Sequence, residues 1–507
     1  MSANLELQTP SFPKRSGRRR GAIFKASVAV LAACGLAACA TMGSLTRHTA
    51  DSPGRPWTPP VKEAGPPEPL PAPSIPAELR AAGRMWTLTD IVDVGLANNP
   101  QTRAAWNTAR AASAAVSISL GAYLPSIGAT LTGTKQKAVF AGGQFIIDQT
   151  TLTPAASLNL LIFDFGGREA DVRSARMALE AANWTQNAVL QNVILEIEGV
   201  YYQYLAARAL LEAQETSRKG AQANYDAANE RHRAGVATIA DVLQAKTALS
   251  SIELQVVTTR GLIQSLHGNL ASSMGLPAAA AFEVAEALPE DIPFGSVSKQ
   301  VELSIQEAVA KRPDLAAYRA QVLEAEAAVS KARSTFFPSV SVNGDIGRIY
   351  YRGNPVSNPY YAVSATVDLS FLFGLQKYAV LAARAQADAA RDRMTDLDRS
   401  VELQVWTSYY GLKTSEQEIA TAKDLLASAE ASYAVALDRY KEGVGSILDL
   451  LSAQSVLADG RVQLVRARSG WFLALVQFTH DSGTLAPPAV PAKPVQPAGP
   501  EKGDHRP

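Results

Sequence analysis

The spacing of apolar and polar positions changes several times along this chain, and it does so twice in the same order. From Leu88 a helical spacing runs to Asn98-Asn99-Pro100, and an Ala-rich stretch then runs to Pro125. Proline ends each because it lacks the backbone donor and crowds the preceding turn. The period then drops from helical to alternating. Ile127, Ala129 and Leu131 alternate with Gly128, Thr130 and Thr132. Leu158, Leu160 and Ile162 alternate less cleanly with Ser157, Asn159, Leu161 and Phe163. From Gly167 to Ala234 there is no proline, and Leu190, Ile194, Ile197, Tyr201 and Leu205 recur at helical spacing. At 1.5 Å per residue, these roughly 68 residues form a rod of about 100 Å. Gly235 interrupts it, and a second helix is predicted from about Ala240 to Met274, before Gly275-Leu276-Pro277.

The second pass begins at Leu303-Ser304, breaks at Lys311-Arg312-Pro313, and reaches Pro338. Val340, Val342, Gly344 and Ile346 then alternate with Ser341, Asn343 and Asp345. Tyr361, Val363, Ala365, Val367, Leu369, Phe371 and Phe373 alternate with Ala362, Ser364, Thr366, Asp368, Ser370 and Leu372. Gly374 opens a second long helix, Gly443 interrupts it, and the stretch from Trp471 to Phe478 closes it. Thr89 and Ser304 are the expected N-caps of the two opening helices.

The two passes share residues as well as pattern. Tyr225, Arg231, Gly235, Val236, Asp241, Leu243 and Ala245 recur 208 positions later as Tyr433, Arg439, Gly443, Val444, Asp449, Leu451 and Ala453. Tyr201-Tyr202 recurs as Tyr409-Tyr410, and Phe163-Asp164-Phe165-Gly166 as Phe371-Leu372-Phe373-Gly374. Upstream, Pro100 pairs with Pro313 and Leu124-Pro125-Ser126 with Phe337-Pro338-Ser339, an offset of 213. The chain is therefore read as an internal tandem repeat, 86–280 and 301–484, joined by a linker at 281–300. The second copy is five residues shorter between its Pro-Ser and its Phe-x-Phe-Gly, and a loop is the expected place for that difference.

The predicted fold is α+β, with two strand hairpins set between long helical hairpins. Apolar-out, polar-in alternation over about ten residues marks a membrane barrel strand. A half-buried soluble hairpin alternates in the same way, so the strands alone leave both open. Four strands cannot close a membrane barrel, whose smallest size is about eight. An open edge in lipid would strand backbone groups. If the strands cross a membrane, several chains share one barrel. Helices of this length need neighbours alongside, as in coiled coils.

Composition adds exclusions. The formal net charge is +1, which gives no electrostatic reason to expect a nucleic acid partner. The five histidines are scattered, which speaks against a histidine-based metal site. No Ser/His/Asp order or phosphate loop is present, and Gly142-Gly143 and Gly166-Gly167 lack dinucleotide-motif spacing. No catalytic role is expected.

The N-terminus reads as a signal peptide over 1–38. Lys14-Arg15-Ser16-Gly17-Arg18-Arg19-Arg20 is a basic opening, and the apolar run from Ala26 is too short to span a bilayer. Leu31-Ala32-Ala33-Cys34 and Leu36-Ala37-Ala38-Cys39 both resemble the bacterial lipobox, whose cysteine receives lipid. Cys39 leaves the longer apolar run, about thirteen residues after Lys25; Cys34 stays open. With these two the only cysteines, no disulfide framework exists despite export. Residues 39–85 are a Pro-rich linker and 485–507 a Pro-rich tail without a core.

Taken in order, Asn98-Asn99-Pro100, Leu124-Pro125-Ser126, Phe163-Asp164-Phe165-Gly166-Gly167 and the paired Gly-x5-Asp segments resemble the TolC-like outer membrane factors. The lipobox resembles their lipoprotein branch, the NodT-type efflux proteins. The resemblance covers about 86–484. It implies a homotrimer with four strands per chain in a shared twelve-stranded transmembrane β-barrel. It also implies an α-helical barrel of coiled-coil hairpins reaching into the periplasm. The chain would sit in the outer membrane of a Gram-negative bacterium, lipid-anchored and without another cofactor. It would be a passive exit duct docking a periplasmic adaptor and an inner-membrane pump. An ABC-type secretion duct, or a lipidated adaptor or coiled-coil scaffold, are the alternatives.

The resemblance also assigns residues. Gly235, Val236, Gly443 and Val444 fall at the adaptor-docking tips. Asp449 and Ser452 fall at the periplasmic aperture, the latter where relatives carry a second acidic residue. Asp241 and Tyr440 fall at latch positions that hydrogen-bond between coiled coils. A basic latch position falls on Gly445, so a weakened latch is expected.

Overall fold

A computed structural model describes residues 84–140, 145–290, 300–353, 357–369 and 374–485, together with Ile75, Pro76 and Leu79. Cys34, Cys39, the expected signal peptide, most of the N-terminal linker, Phe371, Phe373 and the tail from 486 lie outside the described residues. The elements run β1 (Met85–Trp86), α1 (Leu88–Asn98), α2 (Pro100–Gly121), β2 (Ser126–Phe140), β3 (Phe145–Phe163), α3 (Gly167–Arg233) and α4 (Ile239–Ser273). There follow β4 (Glu283–Val284), α5 (Val301–Lys311), α6 (Pro313–Ser334), β5 (Ser339–Tyr351), β6 (Ser357–Asp368), α7 (Leu375–Lys441) and α8 (Ile447–Asp481). Helix lengths of 11, 22, 67 and 35 residues occur in that order in each half.

The first helix starts earlier than its sequence suggested. Thr87 caps it: its Oγ accepts from Asp90 N at 3.3 Å, and the Asp90 carboxylate accepts from Thr87 N at 3.0 Å. This reciprocal box needs an acidic residue three positions after the cap, which Thr89 lacks because Val92 stands there. The matching helix α5 starts behind Gln300 with no side-chain cap, and Ser304 lies inside its first turn.

Asn98-Asn99-Pro100 is a clamp as well as a break. Asn99 Oδ1 accepts from Gln101 N at 2.7 Å, starting α2, while its amide donates to Ser273 O at 3.0 Å, holding the end of α4. Gly275 turns there with φ +73°, and a Cβ on it would stand 2.6 Å from Asn98 O. The second half builds the same joint differently. Arg312 replaces Asn99, donating to Asp481 O at 3.3 Å and forking onto Asp314 at 3.1 and 2.6 Å, beside Gly483 at φ +69°. Gly275→Ala is expected to lose about 1–3 kcal/mol from backbone strain alone. Gly261→Ala, with no neighbour within 4 Å, is expected to be neutral or stabilising. Thermal unfolding of the two variants checks this.

The core lies where these joints meet α3, α7 and α8. Val193, Ile194, Ile197, Tyr201 and Leu205 from α3 pack with Leu270 and Met274, with Val401, Val405 and Leu412, and with Trp471. The pair β1–β4, parallel and two residues long, draws the segment after α4 back onto this core, where Phe282 stacks on Trp86 at 5.2 Å and on His267 at 4.2 Å. Glu198 sits on α3 next to the core residue Ile197, and burial pushes its carboxyl up to about 7. The native state therefore holds this proton more tightly than the unfolded chain. Its stability falls as pH rises from the ordinary carboxylate range to about 7. Glu198→Gln is expected to raise Tm by about 2 °C at pH 8 and to leave it unchanged at pH 4, as read by calorimetry at both pH values.

The four long strands form one antiparallel sheet in the order β2-β3-β5-β6. The register turns the alternation of single strands into rows across the sheet. Ile127, Leu158, Gly344 and Val363 form one row, and Ala129, Ala156, Ile346 and Tyr361 another. Next to the first row, on the opposite face, run Ser126, Asn159, Asn343 and Ser364. On this polar face Asn159 donates to Asn343, and Asn343 donates to Thr366 Oγ at 3.2 Å. Among the described residues no helix packs extensively across either face. Tyr361 and Val363 are 84% and 78% exposed.

Part of the length difference between the halves lies in these strands, where a loop was expected. β2 and β3 hold 15 and 19 residues against 13 and 12 in β5 and β6. The extra pairs extend a ladder, so its backbone groups stay satisfied.

Where sheet meets helix, Arg168 ties the two. It donates to Leu161 O at 2.7 Å and Ile162 O at 2.9 Å, and its backbone N donates to Asp164 Oδ2 at 2.6 Å. Phe165 stacks on Phe337 at 5.0 Å, joining the strand–helix corner of one half to the entry of the other.

Candidate functional site

The residues assigned to tips, aperture and latch gather at the far ends of the two helical hairpins, away from the sheet in sequence and in contact. Each tip is the same turn. Gly235 has φ +77° and Gly443 φ +79°. Val236 N donates to Arg231 O at 2.9 Å, and Val444 N to Arg439 O at 3.0 Å, closing each long helix with the carbonyl-satisfying turn that favours glycine. Val236 and Val444 project from the turns, 65% and 70% exposed.

Asp241 and Asp449 open the return helices as capping residues. Thr238 N donates to Asp241 Oδ2 at 2.8 Å, and Ser446 N to Asp449 Oδ2 at 3.4 Å; each aspartate N donates back to the hydroxyl. The patterns Thr238-x-x-Asp241 and Ser446-x-x-Asp449 carry this signal in sequence. A carboxylate there also meets the positive end of the helix.

Asp449 and Ser452 lie together in an open groove of about 570 Å³ along α7 and α8, with Gly445 and Arg439. Arg439 Cβ stands 3.0 Å from where a Cβ on Gly445 would be. The groove that lacks a cation at Gly445 therefore has one from the preceding turn.

Asp241 and Tyr440 lie near each other without a mutual hydrogen bond. Tyr440 is 6% exposed, and its hydroxyl has no hydrogen-bond partner among the described residues. Burial pushes this phenol up, and the Arg231 guanidinium opposes the shift. Arg231 Nη1 donates to Tyr440 O at 2.9 Å, with the guanidinium 4.8 Å from the ring centroid. Around them Ala228, Val242, Ala245, Ile447 and Leu450 form a small apolar cluster. The repeat pairs Arg231 with Arg439 but gives it no role: its place over Tyr440 is a product of tertiary packing.

Further along, α3 and α8 meet through polar side chains. Asn224 donates to Gln454 Oε1 at 2.8 Å, and Arg461 to Ser217 Oγ at 3.4 Å. A cavity of about 130 Å³ opens beside them, lined by Gln214, Ser217, Ser251, Gln255, Gln454 and Asp459.

Among the described residues no helix is long and apolar enough to cross a membrane. A sequence model of the family described as outer membrane efflux protein matches residues 92–276 and 304–483. Protein CyaE of Bordetella pertussis is 27% identical over 378 residues, covering 73% of this chain and 78% of that protein. Pyoverdine export outer membrane protein OpmQ of Pseudomonas aeruginosa is 25% identical over 399 residues, covering 75% and 82%. The crystal structure of the outer membrane protein VceC from Vibrio cholerae shares the fold, with a TM-score of 0.69 at 19% identity over 78% of this chain and 96% of that one. This protein therefore belongs to the outer membrane efflux protein family, and its place is the cell outer membrane.

Proposed function

We propose that three copies of this chain form one passive exit duct through the outer membrane, anchored by lipid on Cys39. The observation that carries the reading is the sheet with one apolar face, one polar face and two open edges, β2 and β6. An unpaired edge in hydrocarbon leaves backbone groups unsatisfied at several kcal/mol each. Four strands are too few to close alone, while three copies supply twelve. Pairing β2 of one chain with β6 of the next removes every edge and turns the Asn159–Asn343–Thr366 face inward.

The helical hairpins then surround the passage on the periplasmic side. Val236 and Val444 at the tips are apolar, exposed and held on rigid turns, which suits them to a periplasmic adaptor that links the duct to an inner-membrane pump. Three copies of Asp449 around one axis would make an acidic ring that disfavours anions.

Crosslinking the full-length protein in membranes and identifying what is captured tests the assembly. Recovery of an adaptor with a proton-driven pump is expected. An ABC-type pump would move the duct to the secretion reading. Absence of any adaptor would remove the tripartite assignment.

A further inference from the structure

Little holds the two tips of one chain together. Along the seam, α3 and α8 present Gln214, Ser217, Asn224 and Gln454 to each other, and Gln214 Oε1 and Gln454 Nε2 are buried without partners among the described residues. Polar contacts of this kind gain little over the water they displace. The apolar contact between tips is limited to the cluster around Tyr440.

Arg231 bridges this weak junction. From the last turn of α3 it reaches the last turn of α7 and meets three of its features at once. Nη1 bonds the Tyr440 carbonyl at 2.9 Å, the guanidinium lies 4.8 Å from the Tyr440 ring centroid, and Nη2 is 3.8 Å from the Cβ position of Gly443. A cation at the carbonyl end of a helix also meets its negative pole. Asp241 does not compete for this role, because its carboxylate caps α4. Arg439, its partner at the 208 offset, lines the open groove instead.

We propose that Arg231 is the pin that holds the α7–α8 tip against the α3–α4 tip and so keeps the periplasmic mouth narrow. This rests on the reading of the chain as a duct whose tips frame that mouth. The pin works through the ring and carbonyl of Tyr440, and the Tyr440 hydroxyl takes no part.

The test uses the full-length protein in planar bilayers and in hydrogen–deuterium exchange. Arg231→Gln is expected to raise open-state occupancy about tenfold, the ratio carried by about 1.4 kcal/mol, the scale of one hydrogen bond to a charged group. Arg231→Lys keeps the charge but loses the planar fork, so an intermediate rise is expected. Arg233→Gln, in the same last turn but paired only to the exposed Glu230, is expected to match the wild type. Wild-type conductance from Arg231→Gln, or equal leak from Arg233→Gln, would overturn the pin. Exchange across 436–446 reads it independently: faster amide exchange in Arg231→Gln supports it, and an unchanged rate overturns it. A wild type that conducts nothing would contradict the duct while leaving the exchange result to decide the pin.

Discussion

Val363→Lys is expected to abolish assembly in the membrane, while Ser364→Lys beside it is tolerated. Val363 lies inside β6, in a row with Gly344, Leu158 and Ile127, and is 78% exposed among the described residues. In the proposed barrel such a lysine faces lipid near the bilayer midplane, which costs about 2–4 kcal/mol, and threefold assembly would repeat that cost in every copy. Ser364 lies one residue on, in the polar row with Asn343, Asn159 and Ser126, where in the proposed barrel a charge would meet the water of the passage. The yield of oligomer in the outer-membrane fraction reads the difference. Equal loss from both variants would mean that the two faces are not lipid and water.

Trp471→Ala is expected to destabilise the helical body by about 3–5 kcal/mol, the range for truncating a buried tryptophan. Trp471 is fully buried where α8 meets α3 and α7, with Phe472 edge-on at 5.0 Å. Its indole N–H has no partner among the described residues. Trp471→Phe, which keeps an aromatic ring and removes that unpaired donor, is expected to recover most of the loss. Denaturant unfolding of the purified protein, with its midpoint compared across the three chains, measures this.

The long helices and the strands were legible because each is governed by one strong local signal. Proline-free runs with helical periodicity gave α3 and α7, and strict alternation gave β5 and β6. The glycine turns were legible because Gly235 and Gly443 break otherwise continuous runs, and positive φ makes glycine the fitting residue. The cap of α1 was misplaced by two residues because several Thr, Asp and Leu positions cluster there, and only the reciprocal Thr87–Asp90 box resolves them. The pair β1–β4 was invisible: two residues per strand carry no periodicity. The extra length of β2 and β3 was also hidden, since insertion into a paired ladder leaves the same sequence trace as insertion into a loop.

The site divided along the same line. Tip glycines and acidic caps are written in local motifs, so Gly235, Gly443, Asp241 and Asp449 could be singled out. Arg231 and Arg439 hold matching positions in sequence, yet one sits over Tyr440 and the other lines a groove. That difference arises because α3 faces α8 and its neighbour α7 across the seam, a relation that no window of sequence contains.

Native mass spectrometry of the detergent-extracted protein tests most directly whether the open sheet is one third of a shared barrel. Three chains per particle is the predicted result. A stable monomer or dimer that still inserts into membranes would contradict it.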